Sequence, residues 1–494
     1  MLKYEAEVLS DDKNAHQDMY QTLWDDIDRY EPELTHLSRQ IWEFAEIKFE
    51  EYQSCAAIKA FLQEHGFTIT APVANLDTAF IATYGNGYPN IGLLGEYDAL
   101  PGLSQNAHST EQSCITEGGN GHGCGHHLLG VAAVAAALSM KNRIEEHGLP
   151  GRITFYGCPA EEGGSGKTFM VRDGVFSDTD IAITWHPQTF MGVFNTPTLA
   201  NIQAEFYFHG KAAHAAVAPH RGRSALDSVE LMNVGANYLR EHIPTDSRLH
   251  YAITNTGGSA PNVVQPEASV RYLIRSPRVS DAQDIYERLQ QVAQGAAMMS
   301  GTRVEVDFIK ACSSYQPNRF LEQVMSKHLN RLGVPKYDEG ELAFMSEMKN
   351  TFTHEDILAN INQVLATNRE VAQSDLDYLY HHPVLNSVVP YKPCYELLYG
   401  STDVGDVSWV VPTVQCFSAC YAFGTPLHTW QAVSQGNTSI SYKGMIAAAK
   451  VMAATGLEVL FNPELVRQAK AELERVRKVN PYHCPIPDDV KPRA

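Results

Sequence analysis

The chain has 494 residues, of which 44% are hydrophobic and 19% are charged, and its formal net charge is −19 at pH 7. This length exceeds the size at which one hydrophobic core usually stops growing, so two domains are expected. The excess of acidic residues disfavours nucleic acid and anionic membranes as binding partners.

The first part of the chain predicts helices followed by a parallel sheet. Residues 15–65 show the apolar periodicity of helices. From about residue 80, short apolar runs alternate with helical patterns, which indicates an α/β fold with a mainly parallel sheet flanked by helices. Three strand-like runs that end abruptly in ionisable residues lie at 90–98, 152–162 and 180–187, and a helix over 127–147 separates the first two.

A change of pattern near residue 199 predicts an inserted domain. Alternating strands and two amphipathic helices give a strand–helix–strand–helix–strand unit, which we interpret as a small α+β domain over 199–313. The larger domain then comprises residues 1–198 and 314–494. Within it, residues 340–395 are predicted to form a helical excursion.

Three features favour a cytoplasmic protein. The N-terminal residues lack the basic and apolar regions of a signal peptide, and the apolar stretch 128–138 is too short to span a bilayer. Nine cysteines at irregular spacings do not indicate a disulfide framework. A reducing compartment also disfavours a disulfide at Cys124.

Ionisable residues gather at one predicted edge of the sheet. Ligands of an open parallel sheet bind at the carboxyl ends of its strands. The strand-like runs end in Glu96 and Asp98, in Glu161 and Glu162, and in His186. An isolated glutamate pair is usually solvated and a lone histidine is more often structural, but the convergence of these residues on one edge favours a functional site.

The loop "NGHGCGHHLLG" predicts a metal site at the same edge. The thiol of Cys124 and the imidazole of His126 stand two residues apart, and both suit zinc. Glu162, His186 and a C-terminal histidine, His428, supply further ligands. Five candidate ligands exceed the needs of one tetrahedral ion, so two metal ions that share a ligand are expected.

The adjacent pair Glu161–Glu162 fits such a centre. Neighbouring side chains on an extended strand end point in opposite directions. One carboxylate can therefore bind metal while the other takes a proton from a water whose pKa the metals depress, and then protonates the leaving nitrogen. This combination predicts amide hydrolysis.

Two alternatives explain fewer of these residues. The run "EEGGSGKT" is similar to a phosphate-binding loop, but Glu161 would stand at its leading glycine and repel phosphate. Cys124 could be a thiol nucleophile activated by a histidine, but this would leave the glutamate pair and His186 without a role. The metal centre is the favoured interpretation.

At these residues the sequence resembles a known family. The motifs "CGHH", "PAEEGGSGK", "WHP", "AAHAA" and "GTPLH" resemble those of the di-metal amidohydrolases of the aminoacylase/carboxypeptidase-G superfamily, in the branch whose metal motif is Cys-Gly-His. The likeness runs from about residue 20 to the C-terminus. It implies a zinc-peptidase-like catalytic domain with an inserted lid and dimerisation domain.

The resemblance implies a role for each matching residue of the site. It makes Glu161 the general base, and it makes Cys124 the bridging ligand that a carboxylate provides in other branches. The implied metal ligands are Cys124, His126, Glu162, His186 and His428.

Three residues of the inserted domain match positions that contact the substrate in relatives. His214 corresponds to a histidine that stabilises the tetrahedral oxyanion, often across a dimer interface; the alternative is a surface histidine. Asn262 and Arg275 match positions associated with gripping the substrate's oxyanion or carboxylate, and arginine suits a carboxylate by its bidentate geometry. For Arg275, the alternative is a solvated strand arginine.

Two features depart from the family pattern. Position 127 is His where the family usually has Asp or Asn, so His127 could support a ligand or compete for metal. Glu96 stands where other branches have a metal-binding histidine. We therefore expect Glu96 and Asp98 to support the ligands from outside the metal centre, with Asp98 orienting one of them.

The resemblance implies a metal-dependent hydrolase of N-acyl amino acids, with an aroyl-glutamate such as p-aminobenzoyl-glutamate as the expected substrate. The expected cofactors are two divalent ions, zinc or manganese, and the expected assembly is a homodimer or a heterodimer with a homologous subunit. Alternatives are another conjugate, such as indole-acetyl-aspartate, another N-acyl amino acid or a dipeptide, and a non-catalytic metal-binding partner subunit. The presence of every catalytic residue type counts against the last.

Overall fold

The structure is a computed structural model that describes residues 13–493, with side chains from residue 19. Its α-helices are α1 Lys13–Phe44, α2 Tyr52–Glu64, α3 His126–His147, α4 Gly166–Arg172, α5 Ala225–Leu239, α6 Val279–Ser300, α7 Arg319–Leu332, α8 Glu339–Lys349, α9 His354–Thr367, α10 Gln373–His381, α11 Val404–Val410, α12 Trp430–Gly436, α13 Ser439–Phe461 and α14 Pro463–Val479. Its strands are β1 Thr68–Thr70, β2 Phe80–Asn86, β3 Asn90–Glu96, β4 Gly151–Cys158, β5 Ile181–Gln188, β6 Gly192–Val193, β7 Ala200–His209, β8 Arg248–Asn255, β9 Glu267–Ser276, β10 Arg303–Cys312 and β11 Thr413–Ala419.

One sheet has seven strands in the order β1-β2-β4-β3-β5-β11-β6. Its central strands β4, β3, β5 and β11 are parallel, and the outer pairings are antiparallel. Alternate residues of β3 enter two different cores, with Ile91 and Leu93 on one face and Leu94 on the other. A strand covered on both faces is apolar throughout, as parallel strands usually are. The predicted α/β fold with a mainly parallel sheet is confirmed.

Helix α3 packs directly over the end of β3. A Cβ atom at Gly130 would lie 2.5 Å from the carbonyl oxygen of Glu96, so the absence of a side chain lets the helix approach the strand. This close contact places the N-terminus of α3, and the glycine-rich loop before it, beside the carboxyl end of β3.

Helix α13 is long and apolar enough to cross a membrane, judged by length and composition alone. Its most apolar window has a mean hydropathy of 1.5, but 83% of that window is buried inside the fold. The helix packs against α1, α3 and α7. It is therefore the central helix of the core on one face of the large sheet.

A second sheet lies within residues 200–312 and has four antiparallel strands in the order β10-β7-β9-β8. The sequence analysis predicted three of these strands and missed β8. This edge strand is exposed along nearly its whole length, so it has no alternation of apolar and polar residues to detect. The corrected element order is β7-α5-β8-β9-α6-β10, while the domain boundaries at 198/199 and 313/314 stay a prediction.

The segment 340–395 contains α8, α9 and α10, as the predicted helical excursion requires. After α10 the chain has no regular secondary structure until α11 begins at Val404. Part of this irregular stretch, at residues 398–403, lines the cavity described below.

Candidate metal centre and active site

The carboxyl ends of the parallel strands bring the predicted residues together. Glu96 is the last residue of β3, and His186 lies near the end of β5. The turn after β4 holds Glu161 and Glu162. The remaining candidate ligands come from the loop before α3 and from the loop between β11 and α12.

Five ligand-type side chains form two groups that share one residue. One group is Cys124, His126 and His186, the other is Cys124, Glu162 and His428, and in each the ligand atoms lie within 4.8 Å of one another. The distance from Cys124 Sγ to His186 Nε2 is 3.3 Å, and His428 Nε2 is 3.3 Å from Glu162 Oε1. This arrangement offers two adjacent cation sites joined by one sulfur atom.

The donor atoms of these groups fit a pair of divalent cations. His126 Nε2 and Glu162 Oε1 are buried, yet neither has a hydrogen-bond partner among the described residues, a rare condition for buried polar atoms. Burial and the charge of Glu162 raise the pKa of the Cys124 thiol, but the neighbouring His186 and His126 lower it further, to about 6. The thiol is therefore largely ionised at neutral pH, which is the form that binds metal.

Asp98 orients two of the candidate ligands. Its Oδ1 is 2.8 Å from His126 Nδ1, and its Oδ2 accepts a hydrogen bond from the backbone N–H of Glu162 at 2.9 Å. Because Asp98 engages Nδ1, the Nε2 atom of His126 is left for a metal ion. His186 is oriented in the same way, since its Nδ1 lies 2.8 Å from the carbonyl oxygen of Pro187.

Glu96 lies closer to the candidate ligands than the supporting position expected for it. Its Oε2 is 3.3 Å from His126 Nε2, the atom that faces the metal site. Glu96, His126 and Glu161 form a third group whose ligand atoms lie within 4.8 Å of one another. Glu96 therefore borders the metal centre directly, and its role stays a prediction.

Glu161 is positioned as a buried proton acceptor beside the two ligand groups. Burial raises the pKa of its carboxyl well above the usual value, and the charges of Glu96, Asp403 and Glu162 add to the rise. A carboxylate with a raised pKa takes up a proton more readily, which is the property of a general base that works near neutral pH.

The turn that carries the glutamate pair is held in an unusual backbone shape. Ala160 has a φ of 60°, a left-handed conformation that residues other than glycine seldom adopt. Its N–H donates a hydrogen bond of 2.8 Å to Glu51 Oε1. A Cβ atom at Gly166 would lie 2.0 Å from the carbonyl oxygen of Pro159, so the chain can fold back on itself here only with glycine. These contacts set the direction of the glutamates that follow.

Lys167, in the stretch that is similar to a phosphate-binding loop, binds carboxylates of this chain. Its side chain is fully buried, and its Nζ lies 2.6 Å from Glu96 Oε1 and 2.5 Å from Asp403 Oδ1. The backbone N–H of Lys167 also donates to Asp403, at 2.8 Å. A lysine engaged in this way is not a phosphate ligand, which agrees with the preference for a metal centre.

Replacing Lys167 by Met is expected to lower the free energy of unfolding by about 3–5 kcal/mol, because removal of one partner from a buried ion pair leaves the other charges uncompensated. Urea unfolding followed by tryptophan fluorescence measures the change. The matched control is Lys336→Met, an exposed position where a change within about 0.5 kcal/mol is expected. Equal stability of the two variants would contradict a structural role for the buried ammonium.

His127 belongs to none of the three ligand groups, although it is the sequence neighbour of His126. Its Nε2 lies 2.8 Å from the carbonyl oxygen of Gly436, and its ring packs 4.8 Å from the ring of His122. Burial lowers the pKa of His127 well below the usual value, so the ring is neutral. Its contacts fasten α3 to the end of α12.

A cavity of about 460 Å³ opens beside the ligand groups. The rings of Phe194 and Phe417, stacked with centroids 4.6 Å apart, form part of its apolar wall. Arg275 lines the cavity, as its predicted contact with substrate requires. Lys310 and Asn201 also line it, although the sequence analysis singled out neither of them. The available signal was a polar residue within an otherwise apolar strand, which does not reveal the facing surface.

His214 and Asn262 do not line this cavity. Both lie at the surface, and they are held together because the N–H of Ala215 donates to the carbonyl oxygen of Asn262 at 3.0 Å. His214 Nδ1 accepts hydrogen bonds from the N–H groups of Ala216 and Val217, at 3.3 and 3.2 Å. Its Nε2 therefore carries the ring proton and points a donor away from the loop.

Comparison with known proteins agrees with this site. Residues 92–488 match the model of peptidase family M20/M25/M40, and the chain belongs to this family. It is 52% identical over 478 residues to one of the subunits of p-aminobenzoyl-glutamate hydrolase of Escherichia coli (strain K12), with 96% of this chain and 99% of that protein covered. It is 26% identical over 464 residues to Xaa-Arg dipeptidase of Mus musculus, with 91% of this chain and 90% of that protein covered.

A solved structure shows the same fold. The dinuclear metal-binding peptidase of the M20 family from Bacillus subtilis superimposes with a TM-score of 0.53 at 17% identity, covering 88% of this chain and 99% of that chain. The predicted superfamily and the predicted class, a hydrolase, are confirmed by the family match and the near-full-length relative.

Proposed function

We propose that this chain is a di-metal amidohydrolase that cleaves p-aminobenzoyl-glutamate into p-aminobenzoate and glutamate. The observation that carries the proposal is the pair of ligand groups joined by Cys124, with Glu161 buried next to them. The substrate is suggested by the name of the relative that is 52% identical over nearly the whole chain.

The two ligand groups would hold one divalent cation each, with Cys124 between them. Thiolate, imidazole and carboxylate donors favour zinc, and manganese is compatible with the imidazole and carboxylate atoms. Bound cations would supply Lewis acidity, which polarises a carbonyl group and lowers the pKa of a water molecule. Asp98 keeps His126 and the backbone of Glu162 in place for this purpose.

Glu161 moves the proton during the reaction. It accepts a proton from the attacking water as the new C–O bond forms at the amide carbon, and it returns that proton to the nitrogen as the C–N bond breaks. The raised pKa of its buried carboxyl suits both transfers. The products are the carboxylate of p-aminobenzoate and the free amine of glutamate.

The cavity matches the two halves of this substrate. The stacked rings of Phe194 and Phe417 offer a flat apolar surface for the benzoyl ring. Arg275 offers a guanidinium for a carboxylate of the glutamate half.

The surface pair His214 and Asn262 is proposed to complete the site of a second chain. Neither residue lines the cavity of its own chain, and His214 presents a free N–H donor that could stabilise an oxyanion. The relatives of this chain include two different subunits of one p-aminobenzoyl-glutamate hydrolase, which supports assembly with a homologous chain. All nine cysteines are free thiols, which is compatible with a reducing cytoplasm as the site of this assembly.

Metal removal tests the proposal directly. Treatment of the purified protein with EDTA is expected to abolish release of p-aminobenzoate, and zinc or manganese is expected to restore it, because the five ligands act only through bound cations. Chromatography of the product, with metal content measured in parallel, gives the result. Full activity in protein whose metal has been removed would contradict the proposal.

A substrate panel and a partner test separate the alternatives. Faster hydrolysis of indole-acetyl-aspartate or of a dipeptide ending in arginine than of p-aminobenzoyl-glutamate would reassign the substrate. A chain that is inert alone with both metals, and whose Glu161→Gln variant leaves a reconstituted complex fully active, would be a non-catalytic partner subunit. We expect loss of activity in that complex.

A further inference from the structure

A row of polar side chains on the four-stranded sheet faces the cavity. Asn201 on β7 pairs with Arg275 on β9 and with Cys312 on β10. Residues opposite each other in antiparallel strands share a face, and Lys310, two residues before Cys312, lies on that face as well. All four residues line the cavity. The sheet therefore presents two cations to the substrate site, one on each side of Asn201.

Both cations lack a counter-ion. Lys310 is only 7% exposed, and its Nζ donates one hydrogen bond, of 3.0 Å, to the carbonyl oxygen of Glu162. Arg275 is half-buried and donates to Ser401 Oγ at 2.8 Å. Neither forms a salt bridge with a carboxylate in the part of the chain whose side chains the structure describes, residues 19–493. Lys167, buried in the same region, has two such partners.

A buried ammonium without a counter-ion is costly, so its retention beside a cavity indicates an anionic ligand. The surroundings are locally positive although the chain carries a net charge of −19. Burial lowers the pKa of Lys48, and the charges of Arg271 and Lys310 lower it further. Lys310 is thus part of a cluster of cations and keeps donor capacity for a carboxylate, since an ammonium has three N–H groups.

We propose that Lys310 and Arg275 together read the two carboxylates of a dicarboxylic amino acid, so that the site selects glutamyl conjugates over neutral ones. This inference rests on the proposed function and deepens it. Lys310 contacts the backbone of a candidate metal ligand, so it is the cation nearer the scissile bond and takes the α-carboxylate. Arg275 lies two strands from Cys312, about 10 Å across the sheet, and takes the side-chain carboxylate.

The first test changes the substrate and leaves the protein intact. The full-length protein with its metals is assayed on p-aminobenzoyl-glutamate and on p-aminobenzoyl-glutamine, which differ only in the side-chain carboxylate. We expect kcat/KM to be higher for the glutamate conjugate by on the order of 10- to 100-fold, the usual contribution of a hydrogen bond to a charged group. Hydrolysis of both conjugates at equal rates would overturn the inference and leave the proposed function standing.

The second test assigns the two cations. Arg275→Met is expected to bring the ratio for the two conjugates close to one, mainly through loss of the glutamate conjugate. Lys310→Met is expected to lower kcat/KM for both conjugates by a similar factor and so to keep the ratio. A ratio that survives in both variants would overturn the inference.

Two controls guard this interpretation. Lys48→Met removes a neighbouring cation that does not line the cavity, and the ratio is expected to stay unchanged. Dissociation constants of the two conjugates, measured by calorimetry on the Glu161→Gln variant, report the same selectivity without turnover. Equal dissociation constants would overturn the inference, whereas selective binding without hydrolysis by the parent protein would overturn only the proposed function.

Discussion

Replacing Glu161 by Gln is expected to lower kcat for p-aminobenzoyl-glutamate by on the order of 10²–10⁴-fold, the usual contribution of a positioned general acid and base. Glutamine keeps the size of the side chain but cannot accept the proton of the attacking water. The ligand atoms in the two groups that share Cys124 are untouched, so two metal ions per chain are expected to remain. Steady-state kinetics and metal analysis on the same preparation check both outcomes.

The split between activity and metal content carries the meaning of this result. Glu111→Gln, at an exposed position, is the matched control and is expected to retain full activity and both ions. A Glu161→Gln variant as active as this control would remove the proposed proton transfer. Joint loss of activity and metal would instead assign Glu161 to the ligands, which its proximity to Glu96 and His126 makes a real alternative.

The metal centre could be predicted because each strand leaves a sharp signal where it ends. Apolar runs stop at Glu96, at the Glu161–Glu162 pair and at His186, and parallel strands of one sheet end at the same edge. The two cation sites then depend on backbone features that the sequence marks only by glycine, such as Gly125, whose φ of 81° starts α3 next to Tyr421. Clustering followed from topology, while the pairing of ligands required coordinates.

Other features could not be predicted because they depend on which way a side chain faces. His126 and His127 are adjacent, and the first turn of α3 sends one to the metal site and the other to Gly436. Lys310 and Asn201 are single polar residues in buried strands, and a shift of register by one residue would turn either of them away from the cavity.

Strand β8 shows the opposite limit. It is an edge strand, exposed along nearly all of its length, so it lacks the alternation that identifies a half-buried strand. It pairs with β9 only, and that partner fixes its place in the sheet. A strand held by one backbone ladder leaves little trace in the pattern of side chains.

Replacing Cys124 by Ser is expected to reduce the bound metal from two ions per chain to one or none, and to lower kcat/KM by more than about 10²-fold. Cys124 belongs to both ligand groups, and its neighbours His186 and His126 hold its pKa near 6, so it is the one anionic atom that both cations could share. A serine hydroxyl stays protonated at neutral pH and cannot take that place. Metal analysis and the p-aminobenzoate assay measure the two losses.

Cys124→Asp distinguishes a bridging ligand from a thiol nucleophile. An aspartate supplies an anionic oxygen that can bridge two cations, so this variant is expected to hold more metal than Cys124→Ser and to recover part of the activity, whereas a nucleophilic thiol has no such replacement. Cys114→Ser, at an exposed cysteine, controls for the loss of a thiol as such. If Cys124→Ser kept both ions and lost only activity, the bridging role would be wrong and the thiol would have to act on the substrate itself.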